Sequence, residues 1–165
     1  MQAFHRLLWF IGLILLQVLV LNHVHFGEYA SPFLYTYFFF IQRANVSRAE
    51  LLMWGFSMGL IVDIFSNTPG LNASATTVLA LIRNPLLTSQ SPRDAAEDFL
   101  PSIRTMGFVS FFRYVLVGVF LHIAVLQLID SFSFSRPVSM LYRVVSDTAL
   151  SVACMICIDF IRRAK

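Results

Sequence analysis

Six apolar stretches alternate with short polar punctuation along the chain, at about residues 4–22, 31–42, 49–66, 70–88, 106–130 and 137–161. Five of them have the roughly 17 to 25 residues that a helix needs to cross about 30 Å of hydrocarbon. The second does not. In "PFLYTYFFFIQR" the run from Pro32 to Ile41 is too short to cross at ~1.5 Å per residue, so it must borrow flanking residues, tilt or be re-entrant. Its Phe and Tyr content also suits an interfacial belt. The pattern predicts an all-α polytopic membrane protein, one transmembrane domain of six helices over residues 1–165. The first stretch, Leu7 to Leu21 behind Arg6, has the outline of a secretory signal. Asn22, His23, Val24 and His25 follow it without a small-x-small cleavage site, so it reads as a retained helix.

Composition agrees with that reading. The chain is 58% hydrophobic and only 13% charged, about half the charge that soluble domains carry. The charge distribution sets the expected orientation. With six crossings and the N-terminus inside, the cytoplasmic segments hold Arg6, Arg43, Arg48, Arg83, Arg93, Arg104, Arg162, Arg163 and Lys165, and the outer loops hold only Arg136. This positive-inside bias puts both termini in the cytoplasm. The sequence pI near 9.2 then reports orientation and attraction to anionic lipid, not nucleic acid, for which no module is visible.

Only one connection is long, Thr88 to Thr105, on the predicted cytoplasmic side. Ser91, Pro92 and Asp94 read as a helix start, and Ala96, Phe99, Leu100 and Ile103 share one helical face, with Pro101 breaking the helix after Leu100. A short helix on the inner membrane surface is the expectation.

Polar residues inside apolar runs carry the remaining information. Gly55, Gly59 and Asp63 recur at four-residue steps and so form one stripe on the third helix. Glycines there admit a neighbouring backbone, which makes Asp63 face protein. An ionised carboxylate within the bilayer costs up to about 2.5 to 3.5 kcal/mol on insertion scales, so it needs compensation. The end of its own helix offers none, because the macrodipole there is negative. Thr68 and Pro69 read as cap and first residue of the fourth helix, with Gly70 beside them, and the free N–H groups of that start are natural donors to an anion. Counting depth from the outer helix ends groups Asp63, Asn67, Asn72, His122, Arg143 and Asp147 into an outer-half polar cluster, with Arg143 and Asp147 an i,i+4 pair and Arg143 a direct partner for Asp63. Arg113 falls in the inner half, where it can snorkel to headgroups.

Other chemistry finds little purchase. "GFSMG", Gly55 to Gly59, matches G-x-S-x-G but lies inside a continuous helix and not on a strand-turn-helix elbow, so Ser57 reads as packing. Pairing Ser57 with His122 would make an intramembrane hydrolase only in residue types. His23 and His25 are two ligands without a third, and Cys154 and Cys157 share a helix face in apolar surroundings. No cofactor, metal site or catalytic residue is expected.

The run Gly55-x-x-x-Gly59-x-x-x-Asp63, continued by Ile64-Phe65-Ser66-Asn67-Thr68-Pro69-Gly70-Leu71-Asn72-Ala73, resembles the signature region of the MreD family of rod-shape-determining membrane proteins, especially its Bacteroidetes-type members. Length and the order of apolar segments extend the resemblance over the whole chain, and Ser91-Pro92-Arg93-Asp94 adds to it. Asn72 departs from the pattern, in which histidine is common after the leucine. The resemblance implies a six-helix bundle similar to the substrate-binding components of energy-coupling-factor transporters. It further implies a non-enzymatic inner-membrane scaffold of the cell-elongation complex that binds MreC and, through it, MreB, RodA and a class B penicillin-binding protein. The alternative is a small-molecule-binding component of an uptake transporter, with the polar cluster as its pocket. Such a component is expected to carry an alanine-x-x-x-alanine stripe in its first helix, and "LLWFIGLILLQVLVLN" has none.

Overall fold

The structure, a computed structural model, describes residues 2–21, 31–91, 98–130 and 137–163. All regular structure among them is helical: α1 (Gln2–Leu16), continued by a π turn through Leu21, α2 (Tyr37–Phe40) after a 3-10 turn Leu34–Thr36, α3 (Arg48–Ser66), α4 (Leu71–Gln90), α5 (Ile103–Met106), α6 (Phe108–Asp130) and α7 (Pro137–Arg163). Four of the predicted crossings are long and apolar enough to span a membrane, at Phe4–Leu21, Arg48–Ser66, Phe108–Asp130 and Met140–Arg162. Their outward faces are apolar, with Leu8, Ile11, Phe56, Ile64, Val109, Phe120, Val145 and Ile161 exposed. Side chains of that kind are stable in contact with lipid and not with water. The chain is therefore a helical membrane protein.

The fourth predicted crossing is as long as the others but is not among those four. It packs between α3 and α6, and the faces it turns to them can carry Asn72, Thr76 and Arg83, all buried, because neighbouring segments satisfy them. Helix α3 reaches it through the glycine stripe. A Cβ on Gly55 would sit 3.0 Å from Ala80 Cβ and Thr76 O, and one on Gly59 would lie 2.5 Å from Asn72 O. Thr76 Oγ1 uses this closeness to donate to Gly55 O at 2.8 Å. Gly59→Ala should accordingly destabilise the protein by about 2–3 kcal/mol, read as a loss of unfolding free energy in detergent, since Ala73 Cα and Asn72 O among the overlapped atoms are backbone and cannot swing away.

The short second segment differs most from expectation. Its rings form no interfacial belt: Tyr35, Tyr37, Phe38, Phe39 and Phe40 are each 0% exposed. Phe38 packs between Phe10 and Trp54, Phe40 against Tyr114 and Tyr37 against Trp9. Gly118 on α6 makes room, since a Cβ there would fall 2.5 Å from Phe40 Cε1. Too short for a helix across the bilayer, the segment is instead the core around which longer helices pack. Gln17 binds its start, donating to Pro32 O and accepting from Leu34 N–H, both at 2.9 Å. Tyr35 meets Asn72 early in α4, and Phe39 O and Gln42 O meet Arg83, which is ~16 Å further along that helix.

Arg83 was counted among the cytoplasmic-side charges, but it is 0% exposed. Its guanidinium donates to Phe39 O, Gln42 O and Asn84 Oδ1, satisfying carbonyls that a helix as short as α2 leaves without partners at its end. The surface helix expected after Ser91 is also revised. Residues 92–97 lie outside the described region, Phe99 and Leu100 are not helical, and Ser102 caps a separate helix, α5. Ile103 therefore belongs to a helix that starts after Pro101 and does not share a helical face with Phe99 and Leu100. Arg6, Arg43 and Arg162 line one cavity, so the start of α1, the exit from α2 and the end of α7 share one end of the bundle. The α3–α4 turn lies at the other.

Candidate functional site: a buried acid at the α3–α4 junction

Asp63 is 3% exposed and closes the α3–α4 turn. Asn67 ends α3 in the left-handed conformation (φ 54°), one that asparagine tolerates better than most residues. Its N–H and that of Thr68 both reach Asp63 O. Thr68 O then accepts from Leu71 N–H at 3.2 Å across Pro69 and Gly70. Gly70 at φ 83°, ψ −7° has the third-position geometry of a type II turn, which glycine adopts without strain. The helix therefore begins at Leu71, and Thr68 and Pro69 precede it without serving as cap and first residue. Pro69 occupies the second position of the turn.

Gly70 stands at the N-cap of α4 and has no side chain to cap it. Asp63 does the capping from the preceding helix. Its Oδ1 accepts from Asn72 N–H at 2.8 Å, Asn72 Nδ2 at 3.0 Å and Thr68 Oγ1 at 2.9 Å, and its Oδ2 accepts from Ala73 N–H at 2.9 Å. The negative carboxylate thus sits on the positive end of the α4 dipole and satisfies two amides that would otherwise be orphaned.

This arrangement corrects the expected pairing of Asp63 with Arg143. The carboxylate is filled by donors from the turn and α4, whereas Arg143 is exposed on α7. Arg143 acts electrostatically on Asp147 one turn away, and Asp147 in turn accepts Ser31 N–H at 2.8 Å. With Ser151 Oγ accepting Phe33 N–H at 2.9 Å, α7 thereby holds the start of the buried segment. Asn67 also leaves the expected cluster, since its side chain is exposed and its part is conformational.

His122 does join Asp63, through two residues between them. Asn72 Nδ2 donates to Asp63, which turns Asn72 Oδ1 toward Tyr35 OH at 2.9 Å, and Tyr35 OH lies 3.0 Å from His122 Nε2. The Tyr35 hydroxyl has one proton, and Asn72 Oδ1 can only accept, so His122 Nε2 must be the donor to Tyr35. The donors then run in one direction, from His122 through Tyr35 and Asn72 to the carboxylate. The ring's other nitrogen, Nδ1, is buried without a hydrogen bond. Asn72 here donates from its amide and accepts on its carbonyl at once.

Sequence reasoning missed Tyr35, which carries the network into the core. Nothing in a run as rich in aromatic residues as this one singles out one hydroxyl. It also missed Asp159, 0% exposed, which accepts Tyr37 OH at 3.1 Å and Ile103 N–H at 3.3 Å and lies 3.5 Å from Arg162. The available signal was an acid inside the last apolar run with arginine three residues on. An open cavity of about 760 Å³ adjoins the Asp63 network, with Tyr35, Thr68 and Asn72 on its wall. Their polar groups are already engaged with one another and with Asp63.

Ser57 is exposed on α3 while His122 is buried against Tyr35, so these two residues are not brought together. Cys154 and Cys157 are free thiols, and no group of three metal-binding side chains occurs among the described residues. His23 and His25 lie outside them. Comparison with protein-family models, characterised proteins and solved structures returns no match.

Proposed function

We propose that this chain is a non-enzymatic scaffold of the cell-elongation machinery, of the MreD type, in the inner membrane. It would cross six times with both termini in the cytoplasm, and bind MreC and, through it, MreB, RodA and a class B penicillin-binding protein. One observation carries the reading. The residues that bear the resemblance, Gly55 to Ala73, build a single rigid unit in which the glycines dock α4 and Asp63 caps it. The acid of the signature is thus occupied in holding two helices at a fixed angle, as a scaffold requires. The cationic end formed by Arg6, Arg43 and Arg162 supports a cytoplasmic placement of that end.

Gentle detergent purification from native membranes tests the proposal. A bitopic partner with a large external domain should co-purify together with the elongation enzymes, and Gly59→Ala should weaken its recovery. Recovery of a coupling ATPase, or of a tightly bound metabolite, would transfer the chain to the uptake class.

A further inference from the structure

Two adjoining hollows lie at the cationic end. The first, about 860 Å³, is lined by Arg6, Arg43 and Arg162 together with Phe4, Trp9 and Leu100. The second, about 400 Å³, shares His5, Leu8 and Trp9 with it and continues along α1 past Gly12 and Leu13 to Leu16, with Ile158 of α7 as its far wall. From His5 to Leu16 that groove runs ~16 Å toward the middle of the bundle. Together they form a cationic hollow continued by an open, largely apolar groove that follows the helix axis.

From this shape we infer that the protein holds an anionic phospholipid, its phosphate among the three arginines and one acyl chain in the groove between α1 and α7.

Charge favours that occupant. Arg6 pairs with Glu50, Arg43 with Asp98 and Arg162 with Asp159. None of these carboxylate residues lines the cationic hollow among the described residues, whereas all three arginines do. Each guanidinium carries five N–H donors in a fork suited to phosphate, and one carboxylate does not exhaust them. The groove distinguishes a lipid from a free phosphate, which would have no use for Leu8, Leu13 and Leu16. Trp9 donates from Nε1 to His5 at 3.1 Å and sits where the two hollows meet, the amphipathic position an indole takes at the headgroup boundary. Basic pockets between membrane helices are an established way of holding acidic headgroups. The inference needs only that the chain sits in a membrane, and it is independent of the scaffold reading.

Two substitutions keep the test separate from folding. Arg6→Gln with Arg43→Gln removes charges whose carboxylate partners are themselves partly exposed. Gly12→Leu fills the groove at a position where an added Cβ meets nothing within 4 Å. The full chain, stripped of lipid in detergent, is titrated with phosphatidylglycerol, phosphatidylethanolamine and glycerol 3-phosphate, and binding is read by native mass spectrometry and by the rise in melting temperature. Phosphatidylglycerol should bind in preference to the other two. The double arginine variant should bind it roughly thirtyfold more weakly. Gly12→Leu should weaken it about tenfold while leaving the lipid-free melting temperature unchanged. Equal binding of both lipids, or variants that bind like the parent, would overturn the inference. So would glycerol 3-phosphate binding as tightly as the lipid and indifferent to Gly12→Leu, which would assign the cationic hollow to a free phosphate compound.

Discussion

Asp63→Ala should lower the unfolding free energy by about 3–5 kcal/mol, the largest effect expected from any single polar residue at the α3–α4 junction. Truncation removes the acceptor for Thr68 Oγ1, Asn72 Nδ2 and the Asn72 and Ala73 amides together. Asn72 and Ala73 are both buried, so their amides lose this acceptor where desolvation is costly. Asp63→Asn should cost about 2 kcal/mol, because one oxygen remains while the new NH₂ group faces a donor. Exchanging the charges of Asp63 and Arg143 should restore nothing, since the acid is held by the start of a helix and not by that arginine. Denaturant titration of the purified protein in mixed micelles measures all three. An Asp63→Ala protein within about 0.5 kcal/mol of the parent would remove the carboxylate from its structural role.

Arg83→Leu should be comparably severe, again about 3–5 kcal/mol. Leucine is compatible with the apolar surroundings, so the loss isolates the carbonyls of Phe39 and Gln42, which would have no donor. Arg83→Lys keeps the charge but not the fork, and should retain only part of the stability. Arg104 is an exposed basic residue on α5, and Arg104→Gln should stay within about 0.5 kcal/mol as a control. If Arg83→Leu and Arg104→Gln unfold alike, Arg83 does not hold those carbonyls. A second readout locates the damage. Limited proteolysis of Arg83→Leu should open the chain between Gln42 and Ser47 first, where Asn84 Nδ2 also donates to Val46 O at 3.2 Å.

These two residues also mark how much of the molecule was legible beforehand. Asp63 was conspicuous, because a lone acid on a glycine stripe has few explanations, and the amides at the start of α4 were recognisable as donors from the turn residues alone. Its long-range partner was misassigned. Depth along a helix can be counted from sequence, but the direction a side chain faces across the bundle cannot, and Arg143 matched in depth while facing elsewhere. Arg83 was misplaced for the opposite reason. It falls within the fourth predicted span, about 70–88, yet was counted with the cytoplasmic charges, whereas its guanidinium is buried against the end of α2. The apolar runs located the long helices to within a few residues, since lipid contact imposes a composition on every exposed face. Segment 31–42 escaped that rule. From Leu34 to Gln42 it is buried throughout, so the periodicity that marks a one-sided surface is absent from it, and neither Tyr35 nor the Gln17 side chain that clasps it left a signal.

The complete enclosure of that segment has a consequence for how the protein is made. A stretch with no side turned to lipid and too few residues to be recognised alone by the insertion machinery cannot be threaded into the bilayer ahead of its neighbours. Its hydroxyl partner Asn72, its cationic clamp Arg83 and its packing partner Tyr114 are all translated later. The ribosome must therefore deliver most of the chain before the middle of the protein can exist, and biogenesis proceeds by closing outer helices around a short segment that waits for them.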